Sequence, residues 1–335
     1  MPIDSVPRIL VVGGAGFIGS HMVLALNAAG YAPIVIDNLS KGHRDAVIDA
    51  PLFVGDMADE AFLEAIFQSH TIRAVMHFAS FIEVGESVRE PLLYYQNNVS
   101  ATLSLLKVML RHGVRDFVFS STAAVYGEPQ YTPIDEAHPL RPINPYGSSK
   151  WMVESILRDL GRSHGLRFSI LRYFNAAGAD PLGRVFERHE PESHLIPLAL
   201  QAAMGLRPNL HVFGRDYPTP DGTCVRDYVH VADLCDAHLL ALKAMQAGRI
   251  ELTCNLGTGT GYSVQAVIDA VMRVTQRSLN VVDTNRRPGD PAVLVADAGF
   301  AKCELGWQPR FTDLDMIVRH GWQRYAQIGC DSIAG

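Results

Sequence analysis

A chain of 335 residues that is 48% hydrophobic and 19% charged can bury a large core, and it reads as an ordinary globular protein made of one large α/β unit or two intimately joined domains. Its net charge of −6 comes without any basic block, which argues against nucleic acid as a partner, because neutralising phosphates takes clustered Lys and Arg. The 5 cysteines are widely spaced with no Cys-x-x-Cys, no apolar run approaches the ~20 residues of a membrane span, and Met1 to Pro7 carries no signal-like pattern, so a cytoplasmic protein with free thiols is expected.

Residues 8–12 form a short apolar run that ends in Gly13-Gly14-Ala15-Gly16-Phe17-Ile18-Gly19-Ser20-His21, and residues 22–29 then show helical periodicity. Strand, glycine turn and helix in that order favour a bound dinucleotide. Gly13 permits the tight turn, Gly16 lets backbone N–H groups approach a pyrophosphate, and Gly19 lets helix and strand pack closely. The next strand, 32–36, ends in Asp37-Asn38, which puts a carboxylate about 20 residues past the glycines, where it would accept hydrogen bonds from ribose hydroxyls. A 2′-phosphate there would be repelled, so NAD is expected over NADP. Lys41 and Arg44 lie nearby and are read as solvated loop charges.

Residues 52–57 make a third strand with Asp56 at its end, placed for the exocyclic amine of adenine or as a cap for a helix over 60–67. A fourth strand, 74–80, ends in small residues against which a dinucleotide could lie, and its His77 is read as a core histidine. Residues 91–112 read as one long helix containing Asn97-Asn98, where an amide could brace the cofactor or a catalytic loop. Residues 117–122 are a fifth strand that delivers Ser120 and Thr122 to the C-terminal edge, where ligands bind in an open parallel sheet.

A proline-rich loop, 126–145, leads into a helix of about 146–164 that begins with Tyr146 and Lys150. Four residues apart on a helix, the two side chains project from one face. An ammonium ~4 Å from a phenol, at an effective dielectric near 20, favours the phenolate by about 4 kcal/mol, enough to bring a tyrosine into general-base range. Residues 167–173 complete the strand–helix alternation, which predicts an α/β fold with a Rossmann-type doubly wound parallel sheet.

After Asn175 the texture changes. Glycine, proline and acidic residues over 176–193 suggest an excursion into a smaller, discontinuous C-terminal substrate-binding domain. The chain contains 13 histidines, but His-Glu-x-x-His is absent and the stretch from His189 to His194 spans a proline, so no metal site is expected. Residues 225–231 and 253–257 read as sheet-associated returns flanking a helix over 232–246. A helix over 261–275 should start at a Ser263 cap, and 286–290 is a polar turn ahead of a run at 292–296. The expected division is 1–175 plus about 226–262 for the NAD-binding domain, and about 176–225 plus 263–335 for the second domain.

The ordered set of motifs resembles the extended short-chain dehydrogenase/reductase family and, within it, the branch that epimerises UDP-sugars. The likeness runs through the glycine turn, Asp37-Asn38-Leu39, His77-Phe78-Ala79, Val84-Gly85-Glu86-Ser87, the stretches 94–99 and 120–127, Tyr146 to Lys150, Tyr173-Phe174-Asn175, 225–231 and 286–290. It implies reversible inversion at C4 of UDP-glucose and UDP-galactose, through a transient 4-keto sugar with the hydride held on bound NAD, in a homodimer. Tyr146 would be the base, Thr122 would bond the reacting oxygen, and Lys150 would hold the nicotinamide ribose and lower the tyrosine pKa. On the cofactor side it implies Gly13, Gly16, Phe17, Ile18, Gly19, Asp37, Asn38, Asp56, Met57, Phe78, Ala79, Ser80, Asn97, Ser120 and Tyr173, besides Tyr146 and Lys150. On the substrate side it implies Arg226 and Arg287 for the diphosphate, Asn175, His194 and Leu195 beside it, Phe213 for uracil, Asp290 for the uridine ribose and Leu294 for the pocket wall.

Departures from the family pattern narrow the reading. Dehydratases of the family carry Asp-Glu after the threonine, and decarboxylases a Glu; here Ala123 and Ala124 stand there, which disfavours both reactions. Val12 replaces a frequent Thr, His194 stands where several epimerases have Asn, and Ile82 where some have Lys. Leu294 is intermediate between the Tyr of epimerases restricted to plain hexoses and the smaller residues of those that accept N-acetyl sugars, and epimerases of UDP-pentoses or UDP-uronates also fit the pattern. A dinucleotide sensor without catalysis would be expected to lack the Thr122, Tyr146 and Lys150 set.

Overall fold

The computed structural model describes residues 6–287 and 289–331. Met1 to Ser5, Pro288, residues 332–335 and the side chains of residues 327–331, Cys330 among them, lie outside the described residues, and with them parts of the readings of the chain start, the 286–290 turn, the second domain and the cysteines. In chain order the elements are β1 (Arg8–Val12), α1 (Phe17–Ala28), β2 (Ala32–Asp37), β3 (Leu52–Val54), α2 (Glu60–Ser69), β4 (Ile72–His77), α3 (Val84–Arg89) and α4 (Pro91–Tyr95). There follow α5 (Ala101–Arg111), β5 (Asp116–Thr122), α6 (Pro145–His164), β6 (Arg167–Tyr173), β7 (Asn175–Ala177), α7 (Leu195–Ala203), β8 (Leu210–Phe213) and β9 (Val225–His230). The last third adds α8 (Val231–Gln246), β10 (Glu251–Leu256), β11 (Gly261–Ser263), α9 (Val264–Thr275), β12 (Val281–Thr284), β13 (Val293–Leu294), α10 (Gly299–Leu305) and α11 (Leu314–Asp331).

Seven strands pair in parallel in the order β10-β6-β5-β4-β1-β2-β3. The chain starts at β1, winds outward to β3, and crosses back to β4 on the other side of β1. Loops leaving the C-terminal ends of β1 and β4 therefore diverge and open a crevice. Alternate residues of β1 explain the apolar runs. Ile9 and Val11 face Met22, Leu26, Leu234 and Leu242 of α1 and α8, whereas Leu10 and Val12 face Leu63, Leu105 and Leu157 of α2, α5 and α6. A strand buried on both faces has no polar side to alternate with.

The remaining strands form a four-stranded sheet of β7, β9, β11 and β13 and a β8–β12 pair. Ile196 and Leu200 of α7, Val267 and Val271 of α9, and Ile317 of α11 close an apolar cluster beside them. Both expected returns are strands, but only β10 joins the main sheet, while β9 pairs with β7, β11 and β13. Residues 261–263 are a strand rather than the first turn of a helix; Ser263 caps α9 all the same, its Oγ accepting from Ala266 N at 3.0 Å.

The helix expected over 91–112 is broken by one wide turn of π-helix, Gln96–Ser100, between α4 and α5. The break turns Asn98 inward: its Oδ1 accepts from Phe81 N at 2.9 Å, and its Nδ2 donates to Phe81 O and to Ser149 Oγ, each at 3.0 Å. Such insertions mark places where a helix yields regularity to position a side chain.

Helix α6 is specified locally at both ends. Asn144 Oδ1 accepts from Gly147 N at 2.8 Å, Pro145 occupies the first turn, and Gly165 ends the helix at φ +66°. Its docking rests on Gly147, where a Cβ would lie 2.5 Å from the carbonyl oxygen of Ala124. Deeper along the helix, the buried Glu154 takes a two-point contact from Arg172 of β6, at 2.9 and 2.5 Å, and a third from Ser121 Oγ of β5 at 2.6 Å. Removing one member would strand the other charge without water, a loss of about 3–5 kcal/mol for a buried pair, so this network holds α6 in register with both strands.

Two expected outcomes follow from this packing. For Gly147→Ala, helix propensity alone gains about 1 kcal/mol, but a backbone oxygen cannot move aside as a side chain can, and overpacking costs about 1–3 kcal/mol; the urea midpoint should fall, and an unchanged or higher midpoint would contradict the contact. Burial lowers the pKa of His77 and His230 to about 3 and of His21 and His238 to about 4, from 6.5. The unfolded chain therefore takes up protons below pH 6.5 that the folded chain refuses until about 4 or below, and stability must drop as pH falls through that window. Thermal unfolding measured from pH 7.5 to 4 should show a steep decline in Tm, and a flat profile would mean that these imidazoles are not held neutral.

Candidate active site

The crevice is a cavity of about 400 Å³ along the C-terminal ends of the central strands, with Asp37 and Asp56 lining one part and Thr122, Tyr146 and Lys150 another. Thr122 ends β5, and its Oγ1 accepts from Ala124 N at 3.1 Å, which turns the chain back toward α6. The close approach at Gly147 then brings Tyr146, in the first turn of α6, into hydrogen-bonding contact with the Thr122 hydroxyl. One turn on, Lys150 is 2% exposed; its Nζ donates to Ser120 O at 2.8 Å and stands 5.0 Å from the centre of the Phe119 ring.

The electrostatics differ from the sequence expectation. Burial raises the Tyr146 pKa, and the opposing influence is the Thr122 hydrogen bond rather than the neighbouring ammonium. Burial also pushes Lys150 down, to about 7, against the pull of Glu154. A phenol and an ammonium that would both be ordinary in water are each pressed toward neutrality.

Every residue expected on the cofactor side lines this cavity, from Gly13, Gly16, Phe17, Ile18 and Gly19 through Asn38, Met57, Phe78, Ala79, Ser80 and Asn97 to Ser120 and Tyr173. Gly13, at φ +78°, packs so tightly on the end of β4 that a Cβ would sit 2.4 Å from Ala79 N. Asp37 receives Ala15 N at 3.0 Å and Leu39 N at 2.8 Å, and Asn38 Nδ2 donates to Asp56 at 2.9 Å. Each Asp37 oxygen keeps a lone pair for a hydroxyl donor. Tyr173 Oη donates to Ser120 Oγ beneath the Lys150 contact. Asn97 donates to Asn98 Oδ1 at 2.9 Å, so the bracing amide is Asn98, with Asn97 on the cavity side.

The expected substrate residues divide. Asn175, His194 and Leu294 line the cavity, Asn175 Nδ2 donating to Asp227 O at 3.0 Å. Leu195 does not line it; as the first residue of α7, it packs against the apolar cluster of the smaller unit. Phe213, Arg226, Arg287 and Asp290 gather outside the cavity. Arg287 lies 4.0 Å over the Phe213 ring, while Arg226 is ion-paired with Asp290 and donates to Val225 O at 2.7 Å. Leu294 joins the two groups, lining the cavity and pairing in register with Arg226 across β13 and β9.

Sequence reasoning missed other cavity residues. Lys41, read as a solvated charge, lines the wall and faces Glu83 at 4.0 Å. Glu187 and His189 also line it, beside His194; the alternation of Glu and His from 187 to 194 was the only local sign of them. Burial opposes charge on His189 and His194, but Glu187 and Glu192 prevail and raise them to about 9 and about 10. Ala123 and Ala124 line the cavity, so its wall beside Thr122 offers no side-chain acid or base at these positions.

The residues fit a dinucleotide. A Cβ on Gly16 would meet only Gly13 O, at 3.5 Å, so the turn opens onto the cavity, and no side chain caps the 12-residue α1 whose first N–H groups face it. Residues 9–257 match the model of the NAD dependent epimerase/dehydratase family. The chain is 51% identical over 320 residues to a UDP-glucose 4-epimerase of Rhizobium meliloti, covering 96% of this chain and 97% of that one. A UDP-glucose 4-epimerase of Brucella ovis, solved with NAD, superposes with a TM-score of 0.93 at 46% identity, over 96% of this chain and 98% of that one. The enzyme of Bifidobacterium longum, solved with NAD+ and UDP, gives 0.90 at 38%, over 96% and 98%. On the matched family model and on these relatives, which run the length of the fold, the chain belongs to the NAD dependent epimerase/dehydratase family.

Proposed function

We propose that the chain interconverts UDP-glucose and UDP-galactose by inverting C4, using bound NAD. The observation that carries this reading is the meeting of Thr122, Tyr146 and Lys150 in a dinucleotide-sized crevice, with alanines where elimination would need an acid and a base. NAD held by Asp37, the glycine turn, Tyr173 and Lys150 would supply the acceptor and donor of the C4 hydride. Thr122 orients the reacting oxygen. Tyr146 takes the proton of the sugar 4-hydroxyl as C4 is oxidised, keeps it inside the pocket, and returns it once the 4-keto sugar has turned its other face. The Thr122 hydrogen bond favours the phenolate against burial.

A sugar that turns over needs a fixed handle, and the Phe213, Arg226, Arg287 and Asp290 group is our candidate for it. Guanidinium forks suit diphosphate oxygens and an aromatic face suits uracil. The B. longum relative with UDP bound supports a UDP-sugar as substrate. Leu195 would then contribute through its backbone. The proposed division keeps 1–175 plus about 226–262 for NAD and about 176–225 plus 263–335 for the nucleotide-sugar.

A homodimer is the proposed assembly, supported by Val88, Leu92 and Trp151, which are 62%, 75% and 40% exposed on α3, α4 and α6. A cytoplasmic setting suits the free Cys224, Cys235, Cys254 and Cys303. Among the described residues no helix is long and apolar enough to cross a membrane.

The test is incubation with UDP-galactose without added NAD, followed by separation of the product sugars; a chain that carries NAD and yields no UDP-glucose would defeat the proposal. Tyr146→Phe should keep NAD bound and lower turnover by about 10²-fold or more, the usual scale of a lost general base, and turnover like the parent's would remove Tyr146 from that role. Leu294→Tyr should selectively abolish any activity on UDP-N-acetylhexosamines, and an unaltered ratio of the two sugar pairs would show that Leu294 does not set the width of the pocket.

A further inference from the structure

The loop that leads into α7 gathers Glu187, His189, Glu192 and His194, with one potential ligand atom of each within 4.8 Å of all the others. His194 Nδ1 is 3.0 Å from Glu187 Oε1 and 3.0 Å from Glu192 Oε1. His189 Nδ1 is 3.4 Å from Glu187 Oε1 and 3.6 Å from Glu192 Oε2. Donor atoms at ~2.0–2.1 Å from a tetrahedral zinc ion stand about 3.3–3.4 Å from one another. The separations are of the order of that edge length, with Glu187 meeting both imidazoles through Oε1 and Glu192 meeting His194 through Oε1 and His189 through Oε2.

A second observation points the same way. His189 Nδ1 is shut off from solvent and makes no hydrogen bond, although two carboxylates stand beside it. At 3.4 and 3.6 Å the two contacts are longer than a good N–H···O bond, a spacing that ligands sharing one ion also show. Both carboxylates are deeply set, with side chains 6% and 3% exposed. Bound through neutral imidazoles, one divalent cation would cancel the two carboxylate charges and displace the protons that Glu187 and Glu192 favour on His189 and His194.

We propose that Glu187, His189, Glu192 and His194 form a four-coordinate site for one divalent cation of the zinc class. Two imidazoles with two carboxylates suit a borderline ion, whereas calcium and magnesium prefer six or more oxygens. Four protein donors complete a tetrahedron, so the ion is structural rather than catalytic. It ties Glu187 and His189 to His194, which lines the same cavity and immediately precedes α7. The site escapes a search for His-Glu-x-x-His because a loop, with Pro191 in it, supplies the ligands instead of one helical face.

The test is independent of turnover. Chelator-treated protein is titrated with Co²⁺ alone and followed by visible absorption, then with Zn²⁺, with metal content measured after gel filtration. The expected result is a single equivalent per chain, intense tetrahedral Co²⁺ bands bleached by Zn²⁺, and Zn²⁺ affinity at least about tenfold lower in His189→Ala and, separately, in the isosteric Glu192→Gln, with far-UV circular dichroism unchanged. Substoichiometric metal in the parent, the weak bands of a six-coordinate hydrated ion, or equal affinity in a folded Glu192→Gln would overturn the proposal.

Discussion

Most of what the site can do depends on one contact, the first turn of α6 set against the carbonyl of Ala124. Only a residue without a side chain fits there, since a Cβ on Gly147 would come within 2.5 Å of that oxygen. This approach puts Tyr146 against Thr122, and from there helical geometry carries Lys150 to Ser120 O one turn on and Glu154 to Arg172 and Ser121 one turn further. A single helix thus passes from chemistry to anchorage over two turns. The anchoring charges are fully buried and mutually satisfied, so the register of Tyr146 is set from below by an ion pair that has no good alternative arrangement.

The same burial that orders the site sets its electrostatic tension. Burial pushes both Tyr146 and Lys150 toward their neutral forms, and Lys150 arrives near 7. In a low-dielectric pocket, a small change in neighbouring charge has a large effect on which of them ionises. Glu154 is the built-in example: it lies one turn from Lys150 and favours the ammonium, yet Arg172 claims most of its charge. A pocket arranged this way suits a proton that leaves a substrate and returns to it without reaching bulk solvent.

What was legible beforehand was local. The glycine turn, Asp37 some 20 residues on, and Asn144 ahead of Pro145 each state a backbone geometry in adjacent residues, and the structure finds them all at one cavity or at the helix start beside it. The π-turn at Asn98 was not legible, because 91–112 has good helical periodicity and the break answers to Phe81 and Ser149, which lie far away in sequence. That the Leu195 side chain leaves the cavity was hidden for a similar reason: it was assigned together with its neighbour His194, but successive residues face different ways, and its side chain turns into the apolar cluster. The charge assigned to Lys150 was that of an exposed ammonium, since sequence spacing carries no information about desolvation.

By itself, then, the amino-acid sequence determined the doubly wound α/β class, the dinucleotide turn and the pairing of Tyr146 with Lys150 on one face, because strand runs, glycine geometry and the four-residue helical repeat are properties of neighbours along the chain. Tertiary structure alone decided that Thr122 touches Tyr146, that Glu154 and Arg172 hold the helix, that Phe213, Arg226, Arg287 and Asp290 stand apart from the main cavity, and that Glu187, His189, Glu192 and His194 converge. Those contacts join strands, helices and loops whose separation in sequence says nothing of their distance in space, and the energy that selects them, burial of apolar faces and pairing of buried charge, exists only once the chain has closed on itself.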